Sequence, residues 1–225
     1  VLPHTTLSTA RCAKVIDLMS LGTAILQRRE QLAQAIIELE DRYWNNEPIE
    51  ALVAELARAF DGIIADLWQQ HFANSDGCAL FAVGGYGRAE LHPGSDIDIL
   101  VLTKKSNPHR EVVEAFLRDL FDLNVEVGHS VRDIKTCVRE CRSDITIATA
   151  LFERRFLCGD EALVVPLEKA LAHPRVWPVE DFFLAKRDEQ AARHRHYDHV
   201  DYKLEPNIKT SPGGLRDIQT TLWVC

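Results

Sequence analysis

The chain has 225 residues, a formal net charge of −8 at pH 7 and 46% hydrophobic residues, a composition typical of a folded globular protein. This acidic balance argues against nucleic acid as the main partner. No apolar run approaches the roughly 20 residues that cross a bilayer, and the first ten residues lack the basic start and apolar centre of a signal peptide. We therefore expect no membrane partner and a cytoplasmic location.

Two helices are predicted at the amino terminus. Apolar residues recur at helical spacing from about Ala10 to Trp44 and again from about Ile49 to His71. Residues 45–48, Asn-Asn-Glu-Pro, interrupt the pattern between them. We predict an amino-terminal helical region over residues 1–75.

The period then changes to that of strands. The apolar runs "CALFAVG" and "DIDILVL" are typical of buried strands, and "NVEVGHSVR" (residues 124–132) alternates like a half-exposed one. In that third strand Glu126, Gly128 and Ser130 share the polar face. A helix is predicted from Arg110 to Leu123. Together these elements predict a compact α/β core over residues 76–140.

The remaining residues, 141–225, predict a mostly helical region. The candidate helices cover residues 144–155, 160–172 and 179–203, and a turn-rich loop then precedes a final helix near Leu215. The chain starts at Val1 and stops within that helical pattern. We therefore expect it to be a fragment of a longer protein.

Neither the cysteines nor the histidines form a convincing metal pattern. The six cysteines are scattered, which favours reduced or buried thiols in a cytosolic protein; they are Cys12, Cys78, Cys137, Cys141, Cys158 and Cys225. In "RHRHYDHVDYK", His194 and His196 are two apart on a predicted helix and point away from each other. That run is interpreted as a solvated helix face or a basic patch near a nucleotide.

The segment "FAVGGYGRAELHPGSDIDILVL" (residues 81–102) carries the clearest chemistry. Asp96 and Asp98 are two apart, so on a strand both carboxylates leave the same face. Paired carboxylates supply the hard oxygen ligands that Mg²⁺ prefers, and such pairs hold the ions of two-metal phosphoryl and nucleotidyl transfer. Gly84 and Gly85 allow the backbone to approach a ligand and to offer N–H groups to a phosphate.

Arg88 and Ser95 could add donors to the same phosphate, and Ser95 could instead cap the turn. Alone, a Gly-Gly turn or an Asp-x-Asp pair is usually structural, but their combination between two strands is more specific. A P-loop is excluded because no Gly-Lys-Ser/Thr follows a strand. A dinucleotide fingerprint is excluded because "GGYGRAE" lacks the third glycine.

The segment "GGYGRAELHPGSDIDIL" resembles the signature of the DNA polymerase β-like nucleotidyltransferase superfamily. The segments "VGGYGRAELHPGSDIDILVL", "LNVEVGHSVRD", "DITIATALFERRFLCGD" and "LEPNIKTSPGGLRDIQTTLW" are similar, in order, to the amino-terminal part of the bacterial PII uridylyltransferase/uridylyl-removing enzyme, the GlnD family. The resemblance covers residues 50–225. It implies an α+β fold with a small mixed β-sheet, flanked by amino-terminal helices and a carboxy-terminal helical region.

The resemblance also implies an activity. The family transfers UMP from UTP to a tyrosine of the PII signal protein, with Mg²⁺ or Mn²⁺, and releases pyrophosphate. Its HD-type domain removes the UMP and its ACT domains sense glutamine, and this chain is expected to contain neither, so a glutamine effect is expected only through those domains. Two alternatives stay open: an adenylyltransferase of the glutamine synthetase type, and a catalytically silent regulatory nucleotide-binding module.

Residue by residue, the resemblance assigns Gly84 and Gly85 to the triphosphate and Asp96 and Asp98 to the metal, with Ser95 directly before them. The superfamily adds a third carboxylate on a neighbouring strand. Strand alternation favours Glu126 for this role, and Asp122 is the alternative. A purely structural alternative pairs Glu126 with Arg88 or Arg132.

A second group of candidates lies in "NIKTSPGGLRDIQ". From the residues alone, Pro-Gly-Gly before a helix is typical of a turn and a helix start, although flanking cations would also suit a phosphate. The resemblance favours a segment that closes the nucleotide site. The nucleotide-binding candidates here are Lys209, Gly213, Gly214 and Arg216.

Overall fold

A computed structural model describes residues 9–72, 77–104, 110–197 and 207–224, with side chains from Gly22 onward. The helices are α1 (Thr9–Trp44), α2 (Ile49–Phe72), the single turn α3 (Gly84–Gly87), α4 (Arg110–Phe121), α5 (Ile134–Ser143), α6 (Ile145–Phe152), α7 (Val164–Leu171), α8 (Val179–His196) and α9 (Leu215–Val224). The strands are β1 (Cys78–Ala82), β2 (Ile97–Thr103), β3 (Val127–Asp133) and β4 (Arg155–Gly159). A 3₁₀ turn, Glu161–Leu163, precedes α7.

The four strands form one mixed sheet in the order β3-β2-β1-β4. β1 pairs antiparallel with β2 and with β4, whereas β2 and β3 run parallel. Helix α4 lies in the connection between β2 and β3, as a parallel pair requires a crossover. The predicted α+β class with a small mixed sheet is confirmed.

Apolar side chains cover both faces of the sheet. Ile97, Ile99 and Val101 of β2 pack on the side of α1, α2 and α4, as the alternation of the strand predicts. Leu100 and Leu102 face the other way, against α5, α6 and α7. Asp98 is on this second face by the same alternation, at the end of the row that Leu100 and Leu102 continue.

One strand was missed by the sequence analysis. We predicted a helix over residues 144–155, but α6 ends at Phe152 and β4, Arg155–Gly159, is an edge strand of the sheet. No glycine or proline separates the two elements, so the local pattern gives no sign of the change. The strand forms because its backbone pairs with β1, a tertiary contact that propensity does not contain.

Other boundaries differ less. Helix α4 ends at Phe121, two residues before the predicted end, and β3 begins at Val127, so that Glu126 directly precedes the strand. Helix α8 was predicted over residues 179–203; it is seen over Val179–His196, and residues 198–206 lie outside the described part of the chain.

The cysteines are unpaired where the structure describes them. Cys78, Cys137 and Cys141 are buried and Cys158 is partly buried. Burial raises the pKa of Cys137 and of Cys158 to about 12, so both are neutral thiols at physiological pH. No group of three or more His, Cys, Asp or Glu side chains that could hold a metal ion occurs in the described ranges. None of the helices described is long and apolar enough to cross a membrane.

Asp217 connects α9 to α8. Its carboxylate accepts hydrogen bonds from Gln190 (2.8 Å), Arg193 (2.6 Å), His194 (2.9 Å) and the N–H of Gly213 (2.8 Å). Burial opposes ionisation, but the bonds from Arg193, Gln190 and Gly213 outweigh it and lower the pKa of Asp217 to about 2.

We expect Asp217→Asn to lower the free energy of unfolding by about 2 kcal/mol at pH 7, because a lowered folded-state pKa stabilises the fold above the unfolded-state pKa. The contribution of Asp217 should therefore disappear as the pH falls from about 4 towards 2. Urea unfolding at pH 7 and pH 3 measures both effects. Asp188→Asn, at an exposed position on α8, is the control; equal losses in the two variants would contradict the assignment.

Candidate active site

The glycine turn follows β1 and reverses the chain beside Asp98. The N–H of Val83 donates to the backbone carbonyl of Asp98 at 3.0 Å, and Gly84 has a φ of 58°, a left-handed conformation that favours glycine. A Cβ atom at Gly84 would lie 3.6 Å from Oδ2 of Asp98. The fold therefore brings the predicted phosphate-binding turn against the predicted metal ligand.

Asp98 is a half-buried carboxylate with a negative neighbour. Burial raises its pKa, the charge of Asp96 raises it further, and Lys209 lowers it. Asp96 precedes β2 and is exposed. The backbone N–H of His92 donates to Ser95 Oγ at 3.1 Å and the N–H of Ser95 donates back to the His92 carbonyl at 2.9 Å, which defines the turn before the carboxylates. The site thus concentrates negative charge that a cation would stabilise.

The neighbouring strand, β3, also comes close to the Asp98 carboxylate. Gly128 is the register partner of Asp98 on β3, and a Cβ atom at Gly128 would overlap Oδ1 of Asp98. The absence of a side chain at this position therefore leaves the room that the Asp98 carboxylate occupies. The sequence analysis placed Gly128 on the correct face but gave it no role.

The two candidates for the third carboxylate lie in different places. Both are exposed. The carbonyl of Glu126 accepts from the N–H of Ile97 at 2.8 Å, which places Glu126 beside Asp96 at the start of the parallel pair. The carbonyl of Asp122 accepts from Arg29 of α1 at 2.6 Å, on the side of the sheet that Asp98 does not face.

The arginines proposed as structural partners of Glu126 are engaged elsewhere. Arg132 pairs with Glu140 at 2.8 Å. Arg88 pairs with Glu90 and with Glu153, both at 2.7 Å. Neither arginine pairs with Glu126 in the described part of the chain, so the purely structural alternative has no support from these two arginines.

The loop before α9 reaches the site through Lys209, which is exposed and acts electrostatically on Asp98. The two glycines of the loop have local partners instead. The N–H of Gly213 donates to Asp217 at 2.8 Å and that of Gly214 to the Ser211 carbonyl at 2.9 Å. Arg216 lies with its guanidinium carbon 5.5 Å from the ring centre of Trp223. Of the candidates in this loop, Lys209 alone has a described interaction with Asp98.

A cavity of about 320 Å³ opens beside Asp98, between the sheet and α6. Gly128 and Ser130 line its β3 side, and Thr146 and Ala150 line its α6 side. The Ser130 hydroxyl has no hydrogen-bond partner among the described residues. An apolar cleft with a few polar groups, next to a carboxylate of shifted pKa, is the usual form of a small-molecule site.

The residues present fit a magnesium ion bound together with a nucleotide. Mg²⁺ is typically held by one or two carboxylates plus substrate phosphates and water, and Asp96 and Asp98 supply such a pair. Burial and then the charge of Asp96 raise the pKa of Asp98, so a cation would stabilise its ionised form, and the glycine turn lies on the same side of the carboxylate.

Comparison with known proteins finds relatives along most of the chain. A model of the nucleotidyltransferase domain matches residues 63–157, and a model described as GlnD PII-uridylyltransferase matches residues 181–225. The chain is 44% identical over 211 residues to the bifunctional uridylyltransferase/uridylyl-removing enzyme of Pseudomonas putida strain W619, covering 92% of this chain and 23% of that protein. The corresponding protein of Pseudomonas fluorescens strain SBW25 is 45% identical over the same coverage.

Among solved structures, a crystal structure of a toxin–antitoxin protein matches 63% of this chain and 98% of its own chain, at 16% identity and a TM-score of 0.33. The sheet, the glycine turn and the domain match together define a nucleotidyltransferase domain. More narrowly, the chain belongs to the family of the bifunctional uridylyltransferase/uridylyl-removing enzymes. It spans about a quarter of the length of these relatives.

Proposed function

We propose that this chain transfers UMP from UTP to a tyrosine hydroxyl of the PII signal protein, in a reaction that depends on Mg²⁺ or Mn²⁺. The observation that carries the proposal is the convergence of Gly84, Asp98 and Gly128: the half-buried Asp98 carboxylate lies between the glycine turn and a strand position that has no side chain. The names of the relatives support the uridylyl group and the PII partner.

The roles follow from the positions. Asp96 and Asp98 would hold the metal ions, which when bound neutralise the triphosphate and polarise the phosphorus that is attacked. The Gly84–Gly85 turn would bind the phosphates through its backbone. Lys209 lowers the pKa of Asp98 through its charge, and it would add positive charge beside the two aspartates.

The proposed reaction is a single displacement. The tyrosine oxygen attacks the α-phosphorus of UTP, a new phosphorus–oxygen bond forms, and the bond to the β-phosphate breaks, releasing pyrophosphate. The hydroxyl proton passes to a carboxylate, for which we propose Glu126. Catalysis then consists mainly of positioning and charge neutralisation. Glutamine control and UMP removal are proposed for parts of the relatives that lie outside the matched region.

Glu126→Gln should lower kcat for UMP transfer about 10²-fold with little change in melting temperature, because a general base typically contributes 10²–10⁴-fold and an exposed side chain contributes little to stability. Asp122→Asn is the matched control, since Asp122 is equally exposed but adjoins α1. The measurement is the rate of UMP incorporation into PII. A large loss in Asp122→Asn with none in Glu126→Gln would reverse the assignment.

Comparing UTP with ATP tests the two alternatives, a regulatory module without transferase activity and an adenylyltransferase. UTP with Mg²⁺ should raise the melting temperature more than ATP with Mg²⁺, because a ligand that binds the native state stabilises it. Stabilisation by UTP without pyrophosphate release in the presence of PII would favour a regulatory module. A preference for ATP, with adenylylation of glutamine synthetase, would favour the other enzyme class.

A further inference from the structure

Glu153, which directly follows α6, contacts both the glycine turn and α9. Its carboxylate oxygen Oε1 lies 2.7 Å from Nη1 of Arg88, and the indole N–H of Trp223 donates to the same oxygen at 2.6 Å. The backbone of Glu153 also packs against Gly87, where a Cβ atom would overlap its carbonyl oxygen. The side chain is only 10% exposed, so both interactions are formed away from bulk water.

Trp223 is held in place on its ring faces. The ammonium of Lys186 lies 4.4 Å from the ring centre, and the guanidinium of Arg216 lies 5.5 Å from it, distances at which cations are attracted to an aromatic ring. Lys186 is itself 2% exposed and pairs with Glu189 at 2.8 Å. The indole N–H is therefore presented to Glu153 from a fixed ring.

Arg88 is oriented by two carboxylates. Its Nε donates to Glu90 at 2.7 Å and its Nη1 pairs with Glu153. The remaining nitrogen, Nη2, lies 3.8 Å from the position that a Cβ atom would take at Gly85. No described residue accepts a hydrogen bond from Nη2, so Glu153 and Glu90 leave one donor of Arg88 directed at the turn.

We propose that Glu153 is a positioning residue that couples α9 to the phosphate-binding turn, through Trp223 on one side and Arg88 on the other. The proposal rests on the proposed function in one respect, that the turn binds the triphosphate of UTP. If this is so, a change that loosens the packing of α9 also makes the glycine turn less ordered. Lys209 lies in the loop that precedes α9.

The test removes the hydrogen bond between Trp223 and Glu153, on the α9 side of the proposed coupling. Trp223→Phe keeps an aromatic ring beside Lys186 and Arg216 but loses the N–H that donates to Glu153. In the free protein, we expect hydrogen–deuterium exchange of the amides of residues 87–90 to accelerate about fivefold. Without the buried hydrogen bond from Trp223, Glu153 holds Arg88 and the glycine turn less firmly, and local opening becomes more frequent. The control is Trp44→Phe, an indole that is 72% exposed.

Hydrogen–deuterium exchange in β2 shows whether Trp223→Phe affects only the glycine turn or destabilises the whole fold. The amides of residues 97–103 should exchange as in the unmodified protein. Unchanged exchange at residues 87–90, or an equal acceleration in β2, would overturn the proposal. This measurement needs no substrate, so it decides the coupling even if the protein proves not to transfer UMP, an outcome that would refute the proposed function alone.

A kinetic readout then distinguishes positioning from simple packing. Trp223→Phe and Glu153→Gln should each raise KM for UTP about fivefold to tenfold while kcat stays within about twofold. Because both act through one carboxylate, the double variant should raise KM by less than the product of the two single effects. Additive effects, or a lower melting temperature with an unchanged KM, would contradict the coupling.

Discussion

Asp98→Asn is expected to abolish UMP transfer, with a loss on the order of 10³-fold or more, while the fold is retained. The amide keeps the shape of the side chain but removes the charge that would hold the metal. Asp98 is half-buried, and burial and Asp96 raise its pKa, so the ionised carboxylate is less stable in the folded protein than in the unfolded chain. The melting temperature without metal should therefore be unchanged or higher.

The same variant should lose the rise in melting temperature that Mn²⁺ and UTP together give the unmodified protein. Thermal unfolding with and without Mn²⁺ and UTP measures this, alongside UMP incorporation into PII. Asp66→Asn is the matched control, because Asp66 is an exposed aspartate of α2 away from the sheet edge. Transfer by Asp98→Asn at near the unmodified rate would exclude Asp98 as a metal ligand.

Gly128→Ala should damage the site directly, because its added methyl group meets the Asp98 carboxylate. The added Cβ atom would overlap Oδ1 of Asp98, so either the carboxylate rotates away or the β2–β3 pair separates. We expect a loss of transfer of about 10²-fold, because a misplacement of about 1 Å has an effect of that size. The free energy of unfolding should fall by about 1–3 kcal/mol, as for other overpacked sites.

Gly62→Ala provides the control for Gly128→Ala. Gly62 lies within α2, and no atom beyond its neighbours lies within 4 Å of the position of an added Cβ. Alanine is preferred over glycine inside a helix by about 0.5–1 kcal/mol, so this variant should be slightly more stable and fully active. Normal activity of Gly128→Ala would show that Asp98 does not need its present position.

The strands and helices that the sequence predicted are those with a clear local pattern. The stripe of α2 and the alternation of β2 and β3 follow from the separation of apolar and polar side chains. β4 could not be predicted in this way, because Arg155–Gly159 follows α6 without a turn residue and pairs with β1, more than 70 residues earlier.

In the candidate site too, contacts between residues close in sequence could be predicted and contacts between distant residues could not. The relation of Gly84 to Asp98 could be anticipated, since a strand, a glycine turn and a second strand are close in sequence. The overlap at Gly128 depends on the parallel register of β2 and β3, which the sequence pattern does not specify. Glu153 escaped notice because its partners, Arg88 and Trp223, are 65 and 70 residues away and belong to other elements.

The most direct test of nucleotidyl transfer follows two labels through one reaction. The protein is incubated with PII, Mg²⁺ and UTP labelled either at the α-phosphate or at the γ-phosphate, and PII is then isolated and its tyrosines are mapped. We predict that the α-label becomes covalently attached to a tyrosine of PII and that the γ-label leaves as pyrophosphate. Transfer of the γ-label to PII, or no attachment of the α-label, would contradict the account.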